Sequence, residues 1–357
     1  MERTGIVSDS AARRFAALVA ASRKVTILTH SHPDGDALGS SGAAAIYLRA
    51  LGKDALVALP DAYPGTLSFM VDPATVLNAE ERPLEVQRRI ASSDLLLCLD
   101  FNVPSRIRDL ENALRESRAV KVLIDHHVGP EESLFDLVIS KTDISSASEL
   151  LYHVLLTQSG VDSDASRLPQ GCARALFTGM TTDTNNFSNS VFPSTLNMAS
   201  DLLAAGVDRD SILDNLYNRY RENRFRAMAY LLAEKLTITP EGAACMVLDR
   251  ETKSRFALEQ GETEGFVNIP LGIAEVRLSI FLTEDEGHFR VSLRSKKGVS
   301  ARELAASAFH GGGHEQASGG KLYFSEDIPS PEEAEGFVLR VAARFLQESA
   351  PANDFEK

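Results

Sequence analysis

The chain reads as an α/β protein: a mostly parallel sheet with helices on both faces, then a helical connector and a smaller α+β domain. Three observations predict this. Apolar runs of strand length alternate with helical stretches over the first 190 or so residues, the pattern of a parallel sheet covered on both sides. Helical spacing without a strand pattern takes over at 194–235, as in Met198, Leu202, Leu203 and then Leu213, Leu216, Tyr217. Alternating strands, a glycine-rich loop and a closing helix follow. At 357 residues the chain is too long for one ordinary core. The expected boundaries are 1–193 for the first domain, 194–235 for the connector and 236–349 for the second domain.

In chain order, residues 9–22 predict an opening helix with Asp9 as its N-cap. Val25–Leu28 predicts a strand, residues 37–51 a helix, and Ala55–Leu59 the next strand. A helix near 83–92 leads to strands at Leu95–Leu99, Val120–Ile124 and Leu137–Ile139, followed by helices near 145–159 and 168–179. The second domain predicts strands at Ala243–Leu248, Val276–Leu282 and Phe289–Leu293, and helices at 301–309 and 331–348.

Composition narrows the functional classes. Apolar content of 44% with 24% charged residues is that of a soluble globular protein. No apolar run approaches the roughly 18 residues of a membrane span, and no secretory signal is evident. Cys98, Cys172 and Cys245 are scattered and make neither a disulfide framework nor a zinc knuckle, so a cytoplasmic setting is expected. A formal charge of −13 argues against a binder of long nucleic acid, which needs a broad basic footprint. It leaves room for a small anionic substrate held in a local field.

Four segments concentrate acidic and imidazole groups at strand ends or turns. They are Thr29-His30-Ser31-His32-Pro33-Asp34-Gly35-Asp36, then Asp100 closing an apolar strand, then Asp125-His126-His127, then Asp183 after Gly179-Met180-Thr181-Thr182. Ligands of doubly wound sheets bind at the carboxyl ends of strands, where the first three fall. A single Asx turn or helix cap would need only one of these carboxylates. Three consecutive titratable residues after a strand are costly to crowd unless a metal neutralises them. Asp34, Asp36, Asp100 and Asp183 offer four negative charges. Two divalent ions about 4 Å apart repel by roughly 17 kcal/mol at an effective dielectric near 20, so such a pair requires several carboxylates, at least one of them bridging. The expected cofactor is therefore two divalent ions, and the mixed imidazole–carboxylate set leans toward Mn²⁺, Fe²⁺ or Co²⁺ over Mg²⁺, with Mn²⁺ favoured.

In the second domain Gly311-Gly312-Gly313-His314 predicts a loop whose backbone amides can approach an anion. Arg294, with Lys296 and Lys297, forms a basic spot near it, and a guanidinium grips phosphate through two parallel hydrogen bonds. Phe266 and Asn268 are weaker candidates.

His30-x-x-x-Asp34-x-Asp36, Asp100, Asp125-His126-His127 and Asp183 together resemble the four motifs of the DHH phosphoesterases. Arg294 and Gly311–His314 resemble the DHHA1 domain that accompanies them. The likeness covers about residues 24 to 324, and the nearest subgroup is that of the bacterial nanoRNases. The resemblance implies that His30 and Asp34 bind one ion, Asp36, His126 and Asp183 the other, and that Asp100 bridges them. It further implies that His127 faces the scissile phosphate and that Asp125 orients an imidazole, with Arg294, Gly311, Gly312, Gly313 and His314 holding substrate. Asn185, Ser318 and Phe101-Asn102 depart from the frequent family residues without removing a ligand. The implied function is hydrolysis of oligoribonucleotides of two to five nucleotides to mononucleotides, and of 3′-phosphoadenosine 5′-phosphate to AMP. The implied partners are short RNA or small nucleotides, neither membrane nor long nucleic acid, with a homodimer as the candidate assembly. The alternatives are a cyclic or linear di-adenylate phosphodiesterase, a pyrophosphatase or polyphosphatase, and, outside enzymes, a nucleotide-binding regulator.

Overall fold

The computed structural model describes residues 5–259 and 261–348. They form two compact units, one running to Arg219 and the other from Tyr220 onward.

The first unit is built on β1 (Lys24–Leu28), β2 (Asp54–Leu59), β3 (Val76–Asn78), β4 (Leu95–Leu99), β5 (Val120–Asp125) and β6 (Leu137–Ser140). All pair in parallel, in the order β3-β2-β1-β4-β5-β6. Around them lie α1 (Asp9–Ala21), α2 (Gly35–Ala50), α3 (Pro83–Ala91), α4 (Glu111–Glu116), α5 (Ala147–Leu156), α6 (Gln170–Asp183), α7 (Pro193–Ala204) and α8 (Arg209–Tyr217). Strands covered on both faces need continuous apolar sequence, and β4 is buried at every residue. Their side chains still alternate. Val25, Ile27, Leu95 and Leu97 pack into one core with Phe15 of α1, Leu48 of α2 and Leu151 of α5, while Leu28, Leu96 and Cys98 pack on the other face with Val86 and Ile90 of α3.

This strand order places β1 between β2 and β4, so the chain leaves β1 in one direction and returns on its other side at β4. The crevice at that reversal opens at the carboxyl ends of β1 and β4. His30 follows the first strand by two residues and Asp100 follows the second directly.

Helices α2 and α6 cross behind the crevice through glycine. A Cβ on Gly39 would lie 2.7 Å from the Gly179 Cα and 2.8 Å from the Ala175 carbonyl oxygen. Because Asp36 lies in the first turn of α2 and Asp183 ends α6, this crossing sets the distance between those two carboxylates. Gly39→Ala is expected to force the helices apart and destabilise the protein by about 1–3 kcal/mol. Urea unfolding should show a lower midpoint, and Mn²⁺ calorimetry should show weaker binding.

Several sequence expectations shift. The cap of α1 is Ser8, whose hydroxyl accepts from the Ala11 amide, because the helix begins one residue earlier than the Asp9 cap implied. Helix α6 runs four residues past 179, so Asp183 is its last residue. The stretch 194–235 divides between the units. Met198, Leu202, Ile212 and Leu216 of α7 and α8 bury into the core of the first sheet, whereas Ala227 and Leu231 of α9 (Glu222–Glu234) pack with the second unit.

The second unit continues with β7 (Leu236–Ile238), β8 (Ala243–Leu248), α10 (Arg250–Arg255), β9 (Leu278–Glu284), β10 (His288–Ser295), α11 (Ala301–Ala308), β11 (Gly312–Gly313), β12 (Ala317–Tyr323) and α12 (Ala334–Glu348). The sheet order is β11-β12-β10-β9-β8-β7, with β8 and β9 parallel and the other pairs antiparallel. Helices α11 and α12 cover one face; α9 and Phe266 cover the other. Strand β12 was hidden by its glycines. Gly320 is there because a Cβ on it would collide with the Phe309 carbonyl, and Gly311 beside the strand because a Cβ on it would collide with the Gly319 carbonyl. Among the described residues no helix is long and apolar enough to cross a membrane.

Candidate metal centre

The first segment leaves β1 through Thr29 and His30, both buried. The His30 Nδ1 lies 2.9 Å from the Ser31 carbonyl, which places the proton on Nδ1 and turns the Nε2 lone pair toward the crevice. Asp34 is the N-cap of α2, and its Oδ1 accepts from the Asp36 and Ala37 amides at 3.0 Å. Asp36, the second residue of α2, is buried. Its Oδ2 accepts the Ala147 amide at 2.7 Å and its Oδ1 the Ser148 amide at 2.9 Å, so the start of α5 holds the carboxylate in place. His32 points elsewhere: its amide donates to Asp61 Oδ1 at 2.7 Å and its Nε2 lies 2.6 Å from Arg108 Nη2.

Asp100 occupies the middle. Its backbone is left-handed at φ +63°, an arrangement that costs a non-glycine residue about 1–3 kcal/mol and that aspartate tolerates better than most. The Oδ2 lies 3.4 Å from His30 Nε2, and the Oδ1 lies 3.3 Å from His126 Nε2. The two oxygens thus face two different imidazoles. His30, Asp34 and Asp100 offer donor atoms within 4.8 Å of one another, and so do Asp36, Asp100 and His126. Asp183 Oδ2 is 3.7 Å from His126 Nε2, which adds it to the second group. Asp100 Oδ1 is buried without a hydrogen-bond partner. A buried carboxylate oxygen left without a hydrogen bond, with imidazole nitrogens aimed beside it, is a donor set that fits divalent metal ions. Asp183, at the negative end of the α6 dipole, is placed where a cation is favoured and an anion is not.

The electrostatics follow from the crowding. Burial works against a charged imidazole at His30, but the hydrogen bonds and charge of Asp100 and Asp34 outweigh it and hold its pKa at about 10. His126 is pushed up to about 10 likewise, burial being overcome by Asp100, Asp183 and Asp36. At Asp36, burial and the neighbouring Asp100 and Asp183 raise the carboxyl well above its usual range. Burial works against a charged carboxylate at Asp100, but the imidazoles of His126 and His30 beside it outweigh that and hold it well below its usual range. Protons on the imidazoles stand in for cations among these carboxylates, which is the position a metal would take.

Asp125 ends β5 fully buried. It accepts the His127 amide on Oδ2 at 3.0 Å and faces His127 Nδ1 with Oδ1 at 2.8 Å. His127 Nε2 lies 3.0 Å from Arg106 Nη1.

In the second unit Arg294 pairs with Ala317 across β10 and β12, and Ala317 closes the turn from His314 through bonds in both directions. The strand register therefore brings Arg294 beside the glycine loop. The amides are a correction: Gly311 N–H donates to the Ala305 carbonyl and His314 N–H to the Ala317 carbonyl, so neither points at an anion. Gly312 is exposed, with open space around its Cα. Lys296 is engaged with the Ile273 and Ala274 carbonyls, and Phe266 is core.

Sequence reasoning missed Arg106 and the Ala147–Ser148 amides that hold Asp36. The second had a signal, since Ser146-Ala147-Ser148-Glu149 is a capping sequence and Ser146 accepts from the Glu149 amide at 3.0 Å. Arg106 lies in a 3-10 turn with no periodic signature.

Comparison with known proteins agrees with this fold. The DHH family N-terminal domain matches residues 24–180, and the DHHA1 domain matches residues 244–346. The chain belongs to the DHH family and carries a DHHA1 domain. It is 30% identical over 300 residues to the bifunctional oligoribonuclease and PAP phosphatase NrnA of Thermus thermophilus, covering 84% of each chain. It is also similar to the cyclic-di-AMP phosphodiesterase PdeA of Listeria monocytogenes, at 25% identity over 88% of this chain and 47% of that one. Among solved structures, an exopolyphosphatase-related protein from Bacteroides fragilis superposes with a TM-score of 0.89 at 32% identity, over 98% of this chain and 99% of the other.

Proposed function

We propose that this protein is a two-metal phosphohydrolase that degrades short oligoribonucleotides, roughly two to five nucleotides long, to mononucleotides. It also converts 3′-phosphoadenosine 5′-phosphate to AMP. The observation that carries this reading is the sharing of Asp100 between two imidazole–carboxylate clusters, one oxygen to each. His30 and Asp34 hold one ion and Asp36, His126 and Asp183 the other, with Mn²⁺ preferred on the chemistry of the mixed donors. When bound, such ions lower the pKa of water and neutralise charge on phosphoryl oxygens. Asp125 fixes the tautomer of His127 so that its Nε2 faces the reacting phosphate. Arg294 and His314, with Gly312 and Gly313 of the loop, hold the rest of the substrate. The acidic surface, at −13 overall, disfavours long nucleic acid. Three buried free thiols suit a cytoplasmic setting. Similarity to the Thermus enzyme over most of both chains favours short RNA over the cyclic dinucleotide.

Purified protein with Mn²⁺ should turn over 5′-labelled di- to pentaribonucleotides and 3′-phosphoadenosine 5′-phosphate, with cyclic di-AMP and pyrophosphate far slower. Turnover of cyclic di-AMP alone would replace this substrate with the cyclic one, and turnover of none would remove the hydrolase reading.

A further inference from the structure

Arg106 reaches His127, the group proposed to face the substrate, and it is placed by two anchors. Its backbone is tied to the first metal segment: its carbonyl accepts from the Ser31 amide at 2.8 Å, and its own amide donates to the Val103 carbonyl at 3.1 Å. Its side chain then crosses to the third segment, where Nη1 lies 3.0 Å from His127 Nε2. Among the described residues its guanidinium pairs with no carboxylate, although the neighbouring segments are dense in them. Arg108, two residues on, is the contrast, with its guanidinium engaged by Asp61 at 3.5 Å and His32 at 2.6 Å.

His127 Nδ1 faces the buried Asp125 carboxylate, so Nε2 is the acceptor toward Arg106. A neutral imidazole nitrogen is a weak partner for a guanidinium, which forms its strong bonds with phosphate and carboxylate oxygens. Arg106 is half-buried beside the cluster, held in register by its backbone, with donors to spare. Such a group gains most when an oxyanion arrives next to His127.

We propose that Arg106 is a catalytic residue that contacts the scissile phosphoryl group, exchanging His127 Nε2 for a non-bridging phosphoryl oxygen as its acceptor. This rests on the phosphohydrolase reading and extends it, because it places a charge-stabilising donor on the same unit as the metal ligands. The contact strengthens as negative charge grows on that oxygen, and so acts on the transition state more than on the bound substrate.

The test compares wild type, Arg106→Ala and Arg106→Lys, each full-length and loaded with Mn²⁺. Arg106→Ala should lower kcat/KM on the dinucleotide pApA on the order of 100-fold, mostly in kcat. Arg106→Lys should recover only part, since lysine lacks the planar fork. Guanidinium chloride at tens of millimolar should rescue Arg106→Ala but not Arg106→Lys. Inorganic phosphate, as a probe of the same place, should bind Arg106→Ala about tenfold more weakly by calorimetry. Mn²⁺ affinity should stay within about twofold of wild type, because Arg106 touches no metal-cluster carboxylate. Retention of wild-type turnover and phosphate binding by Arg106→Ala would overturn the proposal, and so would a loss of Mn²⁺ affinity in step with turnover. If wild type hydrolyses no substrate, the hydrolase reading fails separately, and the phosphate titration still decides whether Arg106 binds the anion.

Discussion

Asp100→Asn is expected to abolish hydrolysis, with kcat on pApA falling on the order of 1,000-fold or more. One carboxylate serves both clusters, with Oδ2 toward His30 and Oδ1 toward His126, so among the described residues Asp100 is the one whose replacement removes a donor from each. An amide offers one neutral oxygen and one NH₂ group, which cannot neutralise charge on both sides. Asparagine is the informative replacement because it tolerates the left-handed backbone at φ +63°. Alanine would abolish activity too but would add strain, confusing a lost ligand with a disturbed loop. Calorimetry with Mn²⁺ should show the same variant losing most of its affinity. A turnover rate within tenfold of wild type would remove Asp100 from the bridging role.

Metal removal should have the second large effect, and its sign depends on pH. In the metal-free protein His30 and His126 have pKa values of about 10, above the ordinary 6.5. Their stabilising contribution is therefore fully present below about pH 6.5 and is lost as pH rises toward 10. The chelator-treated protein should melt at progressively lower temperature across that window. The Mn²⁺-loaded protein should not, because the ion replaces the protons among the same carboxylates. Metal binding must displace those protons, so affinity should tighten with rising pH and protons should be released in proportion. At Mn²⁺ concentrations about 1,000-fold over the dissociation constant, the stabilisation is about 4 kcal/mol, or roughly 10 °C in melting temperature. Scanning calorimetry from pH 6 to 9, with and without chelator, reads both effects. Parallel pH dependences for the two forms would contradict the assignment of His30 and His126 to the metal.

Much of this architecture was legible in the chain. The strands β1, β4 and β5 are short, mostly apolar runs followed or closed by titratable residues, and that pattern suits a strand covered on both faces. The crowding of His30, Asp34 and Asp36, and of Asp125, His126 and His127, was visible because the ligands of each group are neighbours along the backbone. Strand β12 was not visible. Its Ala317-Ser318-Gly319-Gly320 stretch has the composition of a loop, and it is a strand because it pairs along its length with β10, with glycine required at 320, where a Cβ would meet the Phe309 carbonyl. Helix α6 outruns the expected end at 179 because threonines 181 and 182 lower helix propensity, while the burial of Thr181 and the back-bonding of both within the helix keep it going to Asp183.

The sequence by itself determined the α/β class, the candidate ligand types and the strand ends that carry them, since these depend on local periodicity and on the chemistry of residues close in the chain. Tertiary structure decided which ligands meet. The reversal of strand order at β1 and β4 brings Asp100 between His30 and His126, and the Gly39–Gly179 crossing sets Asp36 near Asp183. It also decided that Asp36 is held by the start of α5 and that Arg106 reaches His127. Those pairings join residues 21 to 112 positions apart, and only the packing of the sheet and its helices brings such residues within a hydrogen bond of each other.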